Sequence, residues 1–146
     1  MKCRRGDDEG SILLLTLGFA IVALALVLVV TDASKVFLTR RSLVSAADAA
    51  ALAGAQSLDR EAYYTGKNDT LPLDAESAMA AVRAYVDDAG LAQTYNDFEL
   101  VAVQVTGGEV TVTVQARSLL PFGSYVGHPD GVVIEATAHA TAPYVD

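Results

Sequence analysis

Apolar and polar positions divide the chain into three regimes. The first is a run of nineteen residues without a charge, Ile12 to Val30, in which only Thr16 and Gly18 interrupt Leu, Ile, Val, Phe and Ala. As a helix this run covers roughly 28 Å, close to a hydrocarbon thickness of about 30 Å. Its fourteen Leu, Ile, Val and Phe residues favour insertion by roughly 4 to 8 kcal/mol in sum. The pattern predicts a single transmembrane helix.

The second regime is helical but mixed. From Thr31 to Leu58 there is no proline, and the only glycine is Gly54, so the membrane helix is expected to continue outward from Ser11 to Leu58 as a rod of roughly 70 Å. Val36, Leu43, Ala47, Ala50 and Gly54 recur at helical spacing. Small residues dominate this part: Ala46, Ala50 and Gly54 stand beside Ala47, Ala51 and Ala55. Such a stripe lets another backbone approach closely, either a partner helix in the manner of membrane helix packing or the protein's own sheet. The next stretch, Leu58 to Leu73, is polar and aperiodic, contains Gly66 and Pro72, and reads as a loop. A second helix follows, with Asp74 as its N-cap and Gly90 as its stop. Ala75, Met79, Val82, Val86 and Ala89 are expected on its apolar face.

In the third regime the period changes to two. Phe98 to Val105 leads through Gly107-Gly108 into Val110 to Ala116, the signature of a hairpin. Val110, Val112, Val114 and Ala116 alternate there with Thr111, Thr113 and Gln115. A third strand, Val132 to Ala142, puts Ile134, Ala136, Ala138 and Ala140 opposite Glu135, Thr137, His139 and Thr141. A sheet with one apolar face needs a cover, and the two helices are the available ones.

Charge sets the orientation and excludes one class of partner. The first forty-one residues carry six Lys/Arg against four Asp/Glu, whereas Ser42 to Asp146 carry four against fourteen. Lys2, Arg4 and Arg5 precede the span, and Lys35, Arg40 and Arg41 follow it. The short basic tail is expected inside and the acidic bulk outside. A chain this acidic beyond Arg41 lacks the basic face that nucleic-acid binding requires. The single cysteine, Cys3, precedes the span; it is no lipobox cysteine, has no disulfide partner, and reads as a reduced cytoplasmic thiol.

Candidate chemistry is sparse. His128-Pro129-Asp130-Gly131 brings an imidazole near a carboxylate, as general acid-base chemistry would want, but Pro-Asp-Gly is also a strong turn signal. Asp87 and Asp88 lie at the unfavourable end of the second helix and point in different directions, as solvated surface does. Gly123-Ser124 lacks the pattern of a nucleophile elbow, and there is no His/Cys cluster of metal-ligand spacing and no phosphate-binding loop. The expectation is a protein with no catalytic, metal or cofactor site and no small-molecule substrate. Asn68-Asp69-Thr70 fits a glycosylation sequon, a common chance triplet to which nothing is assigned. Tyr63, Tyr64, Tyr95, Tyr125 and Tyr144 are the natural contact residues if the domain is instead a tethered binding module.

Several of these features occur together in one known group. Glu9-Gly10-Ser11, the apolar span, Asp32 after it, Leu38 with Arg40-Arg41, and AADAAALAGA from Ala46 to Ala55 resemble the TadE/TadG-like proteins of the tight-adherence (Flp) pilus assembly system. Residues 5 to 58 are similar specifically to the TadG-type segment, with the surroundings of Asp48 the most characteristic piece. The Thr/Val strand, the linker from Leu119-Leu120-Pro121-Phe122 to Gly127 and the strand ending EATAHATA resemble the C-terminal half of many such proteins. The resemblance implies a pilin-like or pseudopilin-like assembly role, with the chemistry in partner ATPases and peptidases. Gly10-Ser11 after a basic tail also looks like a prepilin-type cleavage site. Processed members usually carry glutamate five residues into the mature chain, where this sequence has Leu15, and Ser11 reads equally as the cap of the membrane helix.

The sequence thus leads to an α+β fold. A cytoplasmic tail (1–10) precedes a transmembrane helix (11–31) and an extracytoplasmic domain (32–146) with a helical spine, a second helix and a three-stranded antiparallel sheet. The expected protein is a single-pass component of the cytoplasmic membrane, N-terminus inside. It acts without catalysis in a pilus or related secretion system, and its partners are the lipid bilayer and other membrane proteins of that system. The alternatives are a membrane-tethered binding module and a secreted domain cleaved near Thr31-Asp32-Ala33.

Overall fold

The computed structural model describes residues 7–65, 75–125 and 127–141. Its main element is one uninterrupted helix, α1 (Asp7–Thr65), 59 residues long and therefore roughly 90 Å from end to end. Helix α1 outruns the expected rod at both ends. It begins four residues before Ser11, so Ser11 lies inside the helix and does not cap it. It also takes in Leu58 to Thr65, the first part of the Leu58–Leu73 stretch that reads as loop, since the first helix breaker there is Gly66.

Helix α2 (Ala75–Asp88) and the short α3 (Leu91–Thr94) follow, separated by Gly90 in the left-handed conformation at φ 61°. That conformation ends a helix at little cost only in glycine. The buried face of α2 is Ala78, Val82 and Val86. Met79 is only half-buried, and Ala75 and Ala89 are exposed. The face is thus turned toward Ala78, whose small side chain lets α2 lie close to α1 at Gly54.

Strands β1 (Asn96–Thr106), β2 (Glu109–Ser118) and β3 (Val132–Thr141) form one antiparallel sheet in sequential order. Gly107 and Gly108, both at positive φ, make the expected hairpin turn. The anticipated alternation is present: Val110, Val112, Val114, Ala116, Ile134, Ala136 and Ala138 are buried. On the other face Thr113 meets Thr137 at 3.2 Å and Gln115 donates to Glu99 at 2.6 Å. A register shift between Leu100 and Ala102 reverses the phase of β1. Phe98 and Leu100 therefore point into the core on one side of it, and Val103 and Val105 on the other.

Helix α1 lies across β3 and β2, and α2 packs on α1 and on β1. Leu43, Ala47, Ala50, Ala51, Ala55, Ala78 and Val82 interlock with the sheet's valines and alanines in one core. Because alanines line both α1 and β3, helix and sheet approach closely over several turns. The domain is thereby fastened along the outer half of α1, while none of the most apolar window of that helix is buried.

Candidate functional site

Two faces of α1 have to be distinguished. The inward face carries the small-residue stripe: Ala47, Ala50, Ala51 and Ala55 are at most 1% exposed, and Ala46 is 9% exposed. At Gly54 a Cβ would stand 3.0 Å from both Val110 Cγ1 and Val82 Cγ2, so this position is where α1, α2 and β2 meet. Val36 and Leu43, which share the same spacing, turn inward as well. Between the two readings open for this stripe, the observed neighbours are the chain's own sheet and α2. Away from this stripe some apolar side chains are left uncovered: Phe37 and Val44 at its flank and Leu52 on the far side of the helix are exposed, among polar residues such as Arg41, Ser45 and Gln56. Asp48 lies on this outer side too.

Where α1 leaves its apolar run, hydroxyls return to the backbone. Thr31 donates to Val27 O at 2.8 Å, Ser34 to Val30 O at 2.7 Å, and within the run Thr16 donates to Leu13 O at 2.9 Å. Each removes an unsatisfied donor from an apolar setting. The outer domain then attaches to α1 through a ladder of polar contacts. Ser42 Oγ and Tyr95 Oη lie 2.6 Å apart. Ser118 Oγ donates to Thr39 Oγ1 at 3.2 Å, and Thr39 in turn donates to Lys35 O at 3.0 Å. Lowest on the helix, the Phe122 N–H donates to Asp32 Oδ1 at 3.0 Å. A cleft of about 460 Å³ beside this ladder is lined in part by Lys35, Ser42, Tyr95 and Arg117. Arg117 is committed there, donating from Nε to Asp97 Oδ2 at 2.7 Å and from Nη1 to Asp130 O at 3.1 Å. The first of these bonds holds Asp97 in its left-handed conformation, φ 48°.

Asp32 is the residue whose role the sequence pattern hides. It stands two positions after the apolar run as an ordinary boundary charge, yet it is 5% exposed, and its Oδ2 is buried without a hydrogen-bond partner. Its purpose is local: it receives the backbone N–H of the β2–β3 connection. Asp32→Ala is expected to cost about 1–3 kcal/mol by orphaning that N–H. Asp32→Asn, which keeps an acceptor and removes a charge from a buried site, is expected to be no less stable than the natural protein. Urea midpoints and the exchange protection of the Phe122 amide check both outcomes.

The other candidate residues are dispersed. His128 and Asp130 sit in an exposed turn closed by the Gly131 N–H to His128 O bond of 3.1 Å. His139 faces Thr111 at 2.9 Å and Glu109 at 3.2 Å on the wet side of the sheet. Asp87 and Asp88 are exposed at the end of α2. Among the described residues no three His, Cys, Asp or Glu side chains are placed to share a metal ion. Gly10 and Ser11, the residues of the cleavage-like motif, are exposed within the second turn of α1. Tyr95 is half-buried and stacked on Phe98 at 6.1 Å, whereas Tyr125 is 83% exposed. Cys3, the Asn68-Asp69-Thr70 triplet and Tyr144 lie outside the described residues, and of Tyr63 and Tyr64 only the helical backbone is described.

A search of curated proteins and a search of solved structures each gave no match. Residues 10–57, which comprise the span, the Asp32 junction and the Ala/Gly face of α1, match the family model described as "Putative Flp pilus-assembly TadE/G-like", and this match supports a role related to Flp pilus assembly.

Proposed function

We propose that this protein is a non-catalytic structural component of a tight-adherence (Flp) pilus assembly or a related secretion system. It is anchored by one pass through the cytoplasmic membrane, with the N-terminus inside and the α+β domain outside. The observation that carries this reading is the single helix α1, apolar and uncovered at one end and built into a folded domain at the other. A helix shared in this way couples lateral contacts in the bilayer rigidly to the domain above, with no hinge to absorb a displacement. Proteins of the Tad pilus-assembly family are generally structural, in keeping with this assignment.

The contact with neighbouring membrane proteins is assigned to the uncovered face, Phe37, Val44 and Leu52 together with the span beneath them. The Ala46/Ala50/Gly54 stripe is already occupied within the fold. The anchor is taken as uncut between Gly10 and Ser11, a bond inside the helix, which a peptidase could reach only after unwinding its first turns.

The test is site-specific photocross-linking in membranes of the native host. A cross-linker at Val44 or Leu52 is expected to yield adducts with another membrane protein of the pilus system, identified by mass spectrometry. Adducts only from Thr137, on the wet face of the sheet, would replace the assembly reading with that of a tethered binding module.

A further inference from the structure

We propose that the connection between β2 and β3 is a second membrane contact, its tip resting in the headgroup layer of the leaflet from which α1 emerges. The proposal rests on the anchor reading above and adds a second point of attachment to it. The path of the chain carries the argument. Strand β2 ends at Ser118, whose hydroxyl meets Thr39, and four residues later the Phe122 N–H meets Asp32. From Thr39 to Asp32 is seven residues of α1, so the connection descends roughly 10 Å along the helix toward the span. Asp32 itself stands about 3 Å beyond Val30, the last residue of the apolar run. The headgroup layer extends about 5–8 Å on either side of the hydrocarbon, which puts Phe122 within it. A helix tilt of about 20° shortens these heights by less than a tenth.

The descending segment has the build and the surface of a membrane foot. Gly123 to Tyr125 form one tight turn. The His128 N–H donates to Gly123 O at 2.8 Å, and a Cβ at Gly123 would collide with His128 O at 2.3 Å, so the two limbs are in backbone contact. The Arg117 bond to Asp130 O holds the returning limb. From Leu119 to Tyr125 there is no charged residue, in an outer region that is otherwise strongly acidic. Leu119 is 49% exposed and Tyr125 83% exposed, so these side chains face away from the fold. Tyrosine is enriched at membrane interfaces, where its ring and hydroxyl are both accommodated. Lys35 is exposed on α1 just above this level, which complements anionic headgroups.

One span leaves the domain free to rotate about the helix axis. A foot beside that axis fixes which side of α1 leans toward the membrane, and so the height and tilt at which Phe37, Val44 and Leu52 stand relative to its surface.

The chain contains no tryptophan, which supplies the experiment. Full-length Tyr125→Trp is reconstituted in vesicles of mixed zwitterionic and anionic phospholipid, with and without lipid brominated near the headgroup end of the acyl chain. Phe19→Trp in the span and Val101→Trp on β1 are the references. Tyr125→Trp is expected to lose more than about half of its emission to the brominated lipid, as interfacial residues do, with Val101→Trp unaffected. Tyr125→Trp quenched no more than Val101→Trp, while Phe19→Trp is quenched, would overturn the foot and leave the anchor standing. An unquenched Phe19→Trp would remove the anchor and the foot together.

Discussion

Leu43→Ala is expected to lower the stability of the outer domain by about 2–5 kcal/mol, the range for emptying a leucine site in a packed core. Among the described residues Leu43 is the bulkiest side chain that α1 buries completely, at 0% exposure. Its neighbours on that face are alanines, which cannot reach into the space it would vacate. Leu52, on the opposite side of the same helix and 51% exposed, supplies the comparison. Leu52→Ala is expected to change stability by no more than about 0.5 kcal/mol and to weaken recovery of the neighbouring membrane protein instead. Urea unfolding of the detergent-solubilised chain measures the first quantity, and co-purification from native membranes the second. Equal losses of stability at the two positions would contradict the assignment of one inward and one outward face.

The second large effect concerns the span. Ile21 and Leu24 lie near its centre and are exposed to the surroundings of the helix. An arginine at each costs about 2.5–3.5 kcal/mol. Together these losses match the roughly 4 to 8 kcal/mol by which the apolar run favours insertion. Ile21→Arg combined with Leu24→Arg is therefore expected to remove most of the protein from carbonate-washed membranes. Because neither side chain contributes to the core of the outer domain, the urea midpoint of whatever is recovered in detergent should equal that of the natural protein. Full retention in the washed membranes would refute the anchor, whereas a lowered midpoint would refute the independence of span and domain.

The small-residue stripe illustrates how far a pattern can be read. Ala46, Ala50 and Gly54 at intervals of four announce close approach of another backbone, but not whose backbone it is. The deciding contacts are Val110 and Val82 against Gly54, residues remote in sequence, and periodicity within one helix carries no information about them. The apolar face of α2 shows a smaller discrepancy of the same kind. Alanine is compatible with either face, so Ala75 and Ala89 fit the pattern as well as Ala78 does, and only the crossing of α2 over Gly54 selects Ala78. The burial of Asp32 was hidden for a different reason. A single charge after an apolar run is what any span boundary displays, and its burial arises because the β2–β3 connection folds down onto it.

What the sequence determined by itself were the properties encoded locally. The charge-free run sets the length of the apolar segment, the absence of proline keeps α1 continuous, and the period of two with its glycine pair makes the hairpin. These follow from hydrophobicity and backbone preference over a few residues, which tertiary contacts had no cause to override. The tertiary structure alone decided which side of α1 is spent within the fold, where β1 changes phase, and how low the β2–β3 connection reaches. Each of these depends on packing between segments distant in the chain, where a small residue or a lone carboxylate takes its meaning from what arrives beside it.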